Sequence, residues 1–443
     1  MIFWNSCRHH HGFVAGAARF RTFLSEHRMH PNVRILSIGD ELVLGRVTDS
    51  NATFLCRLAT DHGFRVLGSQ QIGDGEQAIT TAMLAAAQDA DLILVSGGLG
   101  PTDDDRTRHA LAGAMGVVLQ EHAPSWAQIV DRYRRVAPDR EIPANNRRQA
   151  LLPKGARPLP NDRGTAPGLV ATLRASGGRK VVIAIFPGVP HEMKAMATRF
   201  AAGLPKRFPE LTCPAVVEIW FAGIGESAAQ QRLGDLLTES APQVGITVSE
   251  LGHLTLRVVG SARVVAARVR ALRACLQEFL LPHAGLAPSL VAALAKRKAT
   301  ITAAESCTGG HVAALLTAVP GASQVLKESL ITYHASAKHA RLGVPAEVLR
   351  AGVVSRDCVR AMAIGARDHT GAGFAVATTG FAGPTGGTAD CPVGTVWLAV
   401  ASAAGCATRE VFIQGTRERI QARAASAALQ LTWDLLNKKV TID

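Results

Sequence analysis

Residues 304–310 read A-E-S-C-T-G-G, set between the apolar run KATITAA and the alanine-rich HVAALLTAVPG. Two roles suit such a stretch. One is a helix start, with Ser306 or Thr308 as the cap and Gly309 and Gly310 letting the backbone turn. The other is a catalytic turn for amide hydrolysis, which needs a nucleophile, a base that takes its proton, and donors for the tetrahedral oxyanion. Ser306 is then the nucleophile, and the amides of Thr308, Gly309 and Gly310 face an oxyanion or a substrate phosphate. Downstream, ITYHASAK places Tyr333 and Lys338 on or just after a strand. Burial lowers the pKa of a lysine readily, so Lys338 is the candidate base of a Ser–Lys pair. The chain has no G-x-S-x-G elbow, which favours lysine over a histidine triad. Ser323, in PGAS, is a second candidate nucleophile or proton relay.

A different chemistry is spelled out nearer the start. Asp40 and Glu41 follow the first apolar run, Asp103 to Asp105 follow the turn SGGLGPT, and Glu192 follows FPGVPH. Carboxylates from three separated loops can hold Mg²⁺ or a similar hard cation, with Asp40, Glu41, Asp104, Asp105 and Glu192 as the candidate ligands. Gly97, Gly98 and Gly100 would let backbone amides approach a phosphate, and Pro101 and Thr102 are read as the start of the next helix, whose N-terminus favours anions. Together these features describe a nucleotide or pyrophosphate site with a divalent metal, suited to phosphoanhydride chemistry. No GxxxxGK[ST] and no G-x-G-x-x-G after the first strand are present, which counts against ordinary P-loop and dinucleotide folds.

The elements that must carry these residues alternate. VRILSIG (33–39), FRVLGSQQIG (64–73) and DLILVSGGLG (91–100) read as strands, separated by helical spacing over 50–63 and 76–90. That βαβαβ order implies a parallel sheet with helices on its faces, where ligands sit beyond the carboxyl ends of the strands. Residues 205–217 are proline-containing and irregular, and a small α+β module follows to about 283. Its GIGE can mimic the glycine loop of an RNA-binding domain or, more simply, be a tight strand–helix turn. The last part alternates again: strand 299–304, helix 308–318, strands 328–334, 373–379 and 394–402, and helices 357–370 and 417–436. The fold class is α/β in two larger domains with an α+β module between them.

Bulk properties exclude several classes. The 443 residues exceed one ordinary domain, and 47% hydrophobic content with 42 Gly and 21 Pro describes a folded, turn-rich chain. No apolar run reaches the roughly 18–20 residues of a spanning helix, so no membrane role is expected. The formal charge of +13 is spread along the chain, which reads as a solvated arginine-rich surface; nucleic acid is the less favoured partner. Eight cysteines without a C-x-x-C pair indicate small buried residues in a reducing, cytoplasmic setting. Residues 1–28, with four arginines and one acid, stand apart as an extension or targeting-like segment, with His9 to His11 assigned no role.

SIGDEL, SGGLGPTDDDRT, NDRGTAPG (161–168) and FPGVPHEM together resemble the molybdopterin-binding-like domain of the CinA, competence/damage-inducible, family. GIGES with PQVGITVSELGHLTLRV resembles that family's KH-like module, and AESCTGG resembles its C-terminal amidohydrolase domain. The resemblance divides the chain into an extension (1–30) and domains over 31–204, 205–283 and 284–443. It implies metal-dependent ADP-ribose pyrophosphatase activity in the first domain, with Asn161 and Thr165 at the substrate. It implies hydrolysis of nicotinamide mononucleotide to nicotinate mononucleotide and ammonia in the last, where the chemistry needs no cofactor. TTGFAGPTGG and PVGTVW match as the nucleotide pocket, with Thr379 and Gly380 at the substrate and Arg417 as a phosphate clamp. The sequence departs from the family pattern at Ala335, Cys391 and Gln421, where an asparagine, a lysine and a basic residue are usual. Small-molecule nucleotide substrates and a homodimer are the expected partners. The competing readings are a DNA-uptake or repair accessory with degenerate sites, and a molybdopterin-handling enzyme.

Overall fold

The computed structural model describes residues 30–239 and 241–442; the terminal extension, with Cys7 and the three histidines, lies outside them. The chain divides into two compact units between Pro214 and Ala215.

In the first unit, β1 (Asn32–Ile38), β2 (Arg65–Ile72), β3 (Leu92–Ser96), β4 (Arg157–Leu159), β5 (Gly168–Arg174) and β6 (Lys180–Phe186) form one sheet in the order β2-β1-β3-β6-β5-β4. The first four are parallel, and β5 and β4 close the edge antiparallel. Strand periodicity sends alternate side chains to opposite faces. Val33, Ile35, Leu92 and Leu94 join one core, under α1 (Ser50–Asp61) and α4 (Pro190–Ala201). Leu36, Ile38, Ile93 and Val95 join the other, under α2 (Glu76–Ala86) and α3 (Thr107–Met115). Both faces are therefore buried, which is why these strands read as continuous apolar runs. The sheet's parallel strands all present their carboxyl ends on one side, where the acidic motifs lie.

The second unit holds two sheets. Strands β7 (Ala215–Phe221), β8 (Gln243–Val248), β9 (Leu254–Gly260) and β10 (Leu280–Leu281) pair antiparallel in the order β8-β9-β7-β10, with helix α5 (Ala262–Cys275) packed on them. Glycine 225 precedes the helix Glu226–Leu233, so GIGE makes the strand–helix turn. The larger sheet runs β12-β11-β13-β14-β15, from β11 (Ile301–Glu305), β12 (Leu326–Ile331), β13 (Phe374–Gly380), β14 (Thr395–Ser402) and β15 (Gly405–Phe412). Its helices are α6 (Leu286–Lys296), α7 (His311–Thr317), α8 (Ala335–Leu342), α9 (Arg356–Thr370) and α10 (Arg417–Leu436). One core packs under α6, α7 and α10, the other under α9.

Three expectations need correction. Helix α3 begins at Thr107, not Pro101, because the Asp105 carboxylate accepts from the amides of Gly100 and Thr102 and folds residues 100–105 into a separate turn. Lys338 lies on a helix, α8, which the sequence reading passed over; its start is capped by the His334 ring, which accepts from the Ser336 amide. The β14–β15 hairpin extends the sheet by a strand the sequence reading left out.

Candidate active sites

At the end of β11, Ser306 is 8% exposed and its Oγ lies 2.8 Å from the Lys338 Nζ. Lys338 is only 2% exposed and also donates to the carbonyls of Thr332 (2.8 Å) and Tyr333 (3.1 Å). Burial holds the Lys338 amine below the usual lysine value, against a smaller opposing pull from Cys358 and Cys307. A neutral amine has two N–H donors and one lone pair. With two carbonyls taking the donors, the lone pair is left for the Ser306 hydroxyl. Burial pushes the neighbouring Cys307 thiol up to about 12, which disfavours its thiolate and leaves Ser306 the better nucleophile candidate of the turn.

What shapes the turn is Glu305, which the sequence reading did not single out. It is fully buried, and its carboxylate accepts from the Thr308 hydroxyl (2.7 Å) and the amides of Gly310 (2.9 Å), Val312 (3.1 Å) and Ala313 (2.9 Å). The Ser329 hydroxyl donates to it at 3.3 Å. The positive end of α7 is thus filled by a carboxylate of the chain itself. This corrects the expectation that the amides of Gly309 and Gly310 face a substrate, since the Gly310 amide goes to Glu305 and the Gly309 amide to the Ser306 carbonyl; of Thr308 only the hydroxyl is taken, by Glu305 and Thr378. A buried acid directly before the nucleophile position was the available signal, since such a charge needs several donors.

The remaining candidates are placed as follows. Tyr333 is 54% exposed, and its hydroxyl accepts from Arg417 Nη2 at 2.6 Å, while Arg417 Nη1 donates to the Gly383 carbonyl at 2.6 Å. The Thr379 hydroxyl donates to the Val353 carbonyl at 2.7 Å, so its one proton is not free for donation to a substrate. At Gly380 a Cβ would stand 2.7 Å from the Thr395 carbonyl, so the glycine serves the strand pairing. Ser323 is exposed in a short turn at 322–324, and none of the hydrogen bonds joins it to Ser306 or Lys338. Ala335 starts α8, and Gln421 Nε2 donates to the Cys307 carbonyl at 2.9 Å.

In the first unit a cavity of about 420 Å³ opens beyond the strand ends. It is lined by Glu41, Asp74, Asp104, Asp105 and Glu192 together with Gly97, Gly98, Gly100 and Thr165, and by no basic residue. Asp40 stands outside the lining: its Oδ1 accepts from the Asp74 amide and its own amide donates to Asp74 Oδ2. Asp74, missed in the sequence, has its carboxyl raised above the usual range by burial and by the charges of Asp40, Glu41 and Asp104. Among the described residues no three His, Cys, Asp or Glu side chains gather closely enough to hold a metal ion alone. The acids therefore do not form a protein cage. They fit a cation that keeps its waters and arrives with substrate phosphates, for which one or two carboxylates suffice.

Several N-terminal candidates hold the cavity's wall instead of facing its interior. The Gly97 amide donates to the Phe186 carbonyl and the Gly100 amide to Asp105 Oδ1. A Cβ at Gly97 would stand 2.2 Å from the Ile38 carbonyl, so close strand packing fixes the glycine there. The Thr102 hydroxyl donates to Asp105. Asn161 Nδ2 donates to Glu192 Oε2 at 2.7 Å and to the Ala166 carbonyl at 2.9 Å, so it positions the acid and its own loop.

A parallel-sheet domain with an acidic cleft, joined to an α/β domain with a buried Ser–Lys pair, is the class defined by fold and site. A family model described as "Probable molybdopterin binding domain" matches residues 34–206, and one described as "CinA C-terminal domain" matches residues 283–436. A CinA-like protein of Anaeromyxobacter dehalogenans is 38% identical over 412 residues, which cover 90% of this chain and 98% of its own. One from Synechococcus is 36% identical over 416 residues, covering 90% and 94%. The crystal structure of the competence/damage inducible protein CihA from Agrobacterium tumefaciens, at 37% identity, aligns with 35% of this chain and 97% of its own, with a TM-score of 0.33. The chain belongs to the CinA family.

Proposed function

We propose that the C-terminal domain hydrolyses the carboxamide of nicotinamide mononucleotide, giving nicotinate mononucleotide and ammonia. The observation that carries this reading is the buried 2.8 Å contact between Lys338 Nζ and Ser306 Oγ. Neutral Lys338 takes the Ser306 proton as Oγ attacks the carboxamide carbon. The resulting lysinium gives that proton to the departing nitrogen, and ammonia leaves an acyl-serine. Water, deprotonated by the same amine, then releases the carboxylate and restores the hydroxyl. Arg417, exposed beside Tyr333 and with its Nε directed to no partner among the described residues, suits the substrate phosphate.

For the N-terminal unit we propose metal-dependent cleavage of ADP-ribose at its pyrophosphate. Its support is the cavity lining: five acids and no basic residue would repel a pyrophosphate unless a cation came with it. One or two of Glu41, Asp104 and Glu192 would hold that cation beside its waters, and when bound it neutralises the phosphates and polarises the anhydride. The chain's own part is to orient: Asn161 fixes Glu192, and Asp105 fixes the glycine loop. Strong, salt-sensitive nucleic-acid binding without turnover would favour the accessory-protein reading instead.

The deciding experiment measures ammonia release from nicotinamide mononucleotide by the full chain, beside Ser306→Ala and Lys338→Ala. Release by the wild type and its loss in both variants is expected. A wild type that releases none, or variants that keep the activity, would sink the amidase reading.

A further inference from the structure

Gln421 stands where the resemblance leads the sequence analysis to expect a basic residue, and it reads there as a lost substrate contact. The geometry points to another role: we infer that Gln421 is a positioning residue, fixing the peptide between Cys307 and Thr308 so that its N–H is the oxyanion donor for Ser306. The inference rests on the amidase reading above.

Gln421 sits one turn beyond Arg417 on α10, so the two share a face of that helix. Its Nε2 donates to the Cys307 carbonyl at 2.9 Å. A trans peptide is planar, with its carbonyl and N–H pointing in opposite directions. Holding the Cys307 oxygen therefore sets the direction of the Thr308 N–H. The other side of the same peptide is fixed as well, because the buried Thr308 side chain bonds both Glu305 and Thr378 at 2.7 Å. Of the amides around it, Ser306 N is committed to the Thr378 carbonyl, Gly309 N to the Ser306 carbonyl and Gly310 N to Glu305, while Cys307 N, like Thr308 N, is directed to no backbone acceptor among the described residues. The Thr308 N–H follows the nucleophile by two residues and takes no acceptor in the turn, which leaves it for charge that appears only during reaction. A donor held rigid before the charge develops is the arrangement that lowers the barrier most.

The same helix face steadies the base. Arg417 bonds the Tyr333 hydroxyl, and the Tyr333 carbonyl accepts from Lys338. Arg417 and Gln421 thus brace the two halves of the dyad from one element.

The test compares Gln421→Leu, Gln421→Glu and Gln421→Lys in the full chain. Loss of the donor in Gln421→Leu is expected to lower kcat for ammonia release roughly 10–100-fold, with KM unchanged within about twofold. Gln421→Glu, which sets a second acceptor against the carbonyl, should fall further, and Gln421→Lys, which restores a donor, should recover most of the rate. The acidic limb of the pH profile should stay in place, because Lys338 is untouched. In parallel, the rate at which a fluorophosphonate labels Ser306 reads the same turn without the amide substrate, and should fall with kcat. A rise in KM alone would make Gln421 a substrate ligand and overturn the inference. Unchanged kcat and labelling in Gln421→Leu would overturn it too. A wild type that labels but releases no ammonia fails the substrate assignment only, and the labelling series then decides on Gln421; a wild type that does neither defeats both.

Discussion

After β3 the chain turns through Gly97–Gly100 into a loop pinned by Asp105; after β11 it turns through Cys307–Gly310 into a helix pinned by Glu305. Each turn carries its own carboxylate, and each carboxylate accepts loop amides. Their surroundings differ. Asp105 is half-buried beside an open cavity of about 420 Å³, and the acids around it keep contact with water. Glu305 is fully buried, and the pair next to it, Ser306 and Lys338, is nearly so. The difference fits what each proposed chemistry would require. Carboxylates that are to attract a cation must stay ionised, which hydration favours, whereas a lysine that is to act as a base must lose its charge, which burial favours. One local device, a strand ending in a glycine turn tied by an acid, therefore serves opposite electrostatic ends depending on how much water reaches it.

The widest separation of the two regions is expected from Ser306→Ala and Lys338→Ala. Each should cost ammonia release roughly 10³-fold or more while leaving ADP-ribose cleavage intact, as an assay of both products will read. Equal loss of both activities would mean that the regions are not independent. Next in size, a chelator should abolish most ADP-ribose cleavage and leave ammonia release alone, and Glu192→Gln should lower the former by about 10–100-fold. Chelator-sensitive ammonia release would erase the contrast.

A pH series sharpens the burial half of the comparison. Lys338 is held below the ordinary value of 10.5, so kcat/KM for ammonia release should climb as pH rises through that lowered value and level off before 10.5. The same shift acts on stability. Between the folded and unfolded values the unfolded chain binds the extra proton, so stability should rise with pH across that window and not fall. Titrating the rate and the denaturant midpoint together checks both signs. The smallest effects separate the two carboxylates: Glu305→Gln should destabilise the second unit by about 1–3 kcal/mol, because buried amides lose an acceptor. Asp105→Asn, half-exposed and partly rescued by water, should cost about 1 kcal/mol or less in the first unit. Equal losses in denaturant unfolding would show that burial does not distinguish them.

Much of the first unit was legible: the buried apolar runs 33–39 and 91–100 became β1 and β3, and 64–73, a largely exposed edge strand bounded by Gly63 and Gly73, became β2, each within a few residues. Helix α8 was not, since eight residues between a strand and a glycine give too short a period to show, and so Lys338 was placed on or just after the strand with no helix to carry it. Asp74 was overlooked because an isolated acid after a strand carries no pattern; its contact with Asp40 joins loops 34 residues apart.

The sequence by itself determined the order of strands and helices, the acids at the strand ends, and the presence of Ser306, Tyr333 and Lys338 in one domain, since these follow from local periodicity and residue type. Only the tertiary structure decided which polar groups remain for a ligand. Hydrogen bonds between distant segments give Thr379 to Val353, Asn161 to Glu192 and the Gly310 amide to Glu305, and they bring Lys338 to Ser306 across 32 residues. A donor's partner is set by where the folded backbone brings its neighbours, and no spacing along the chain encodes that.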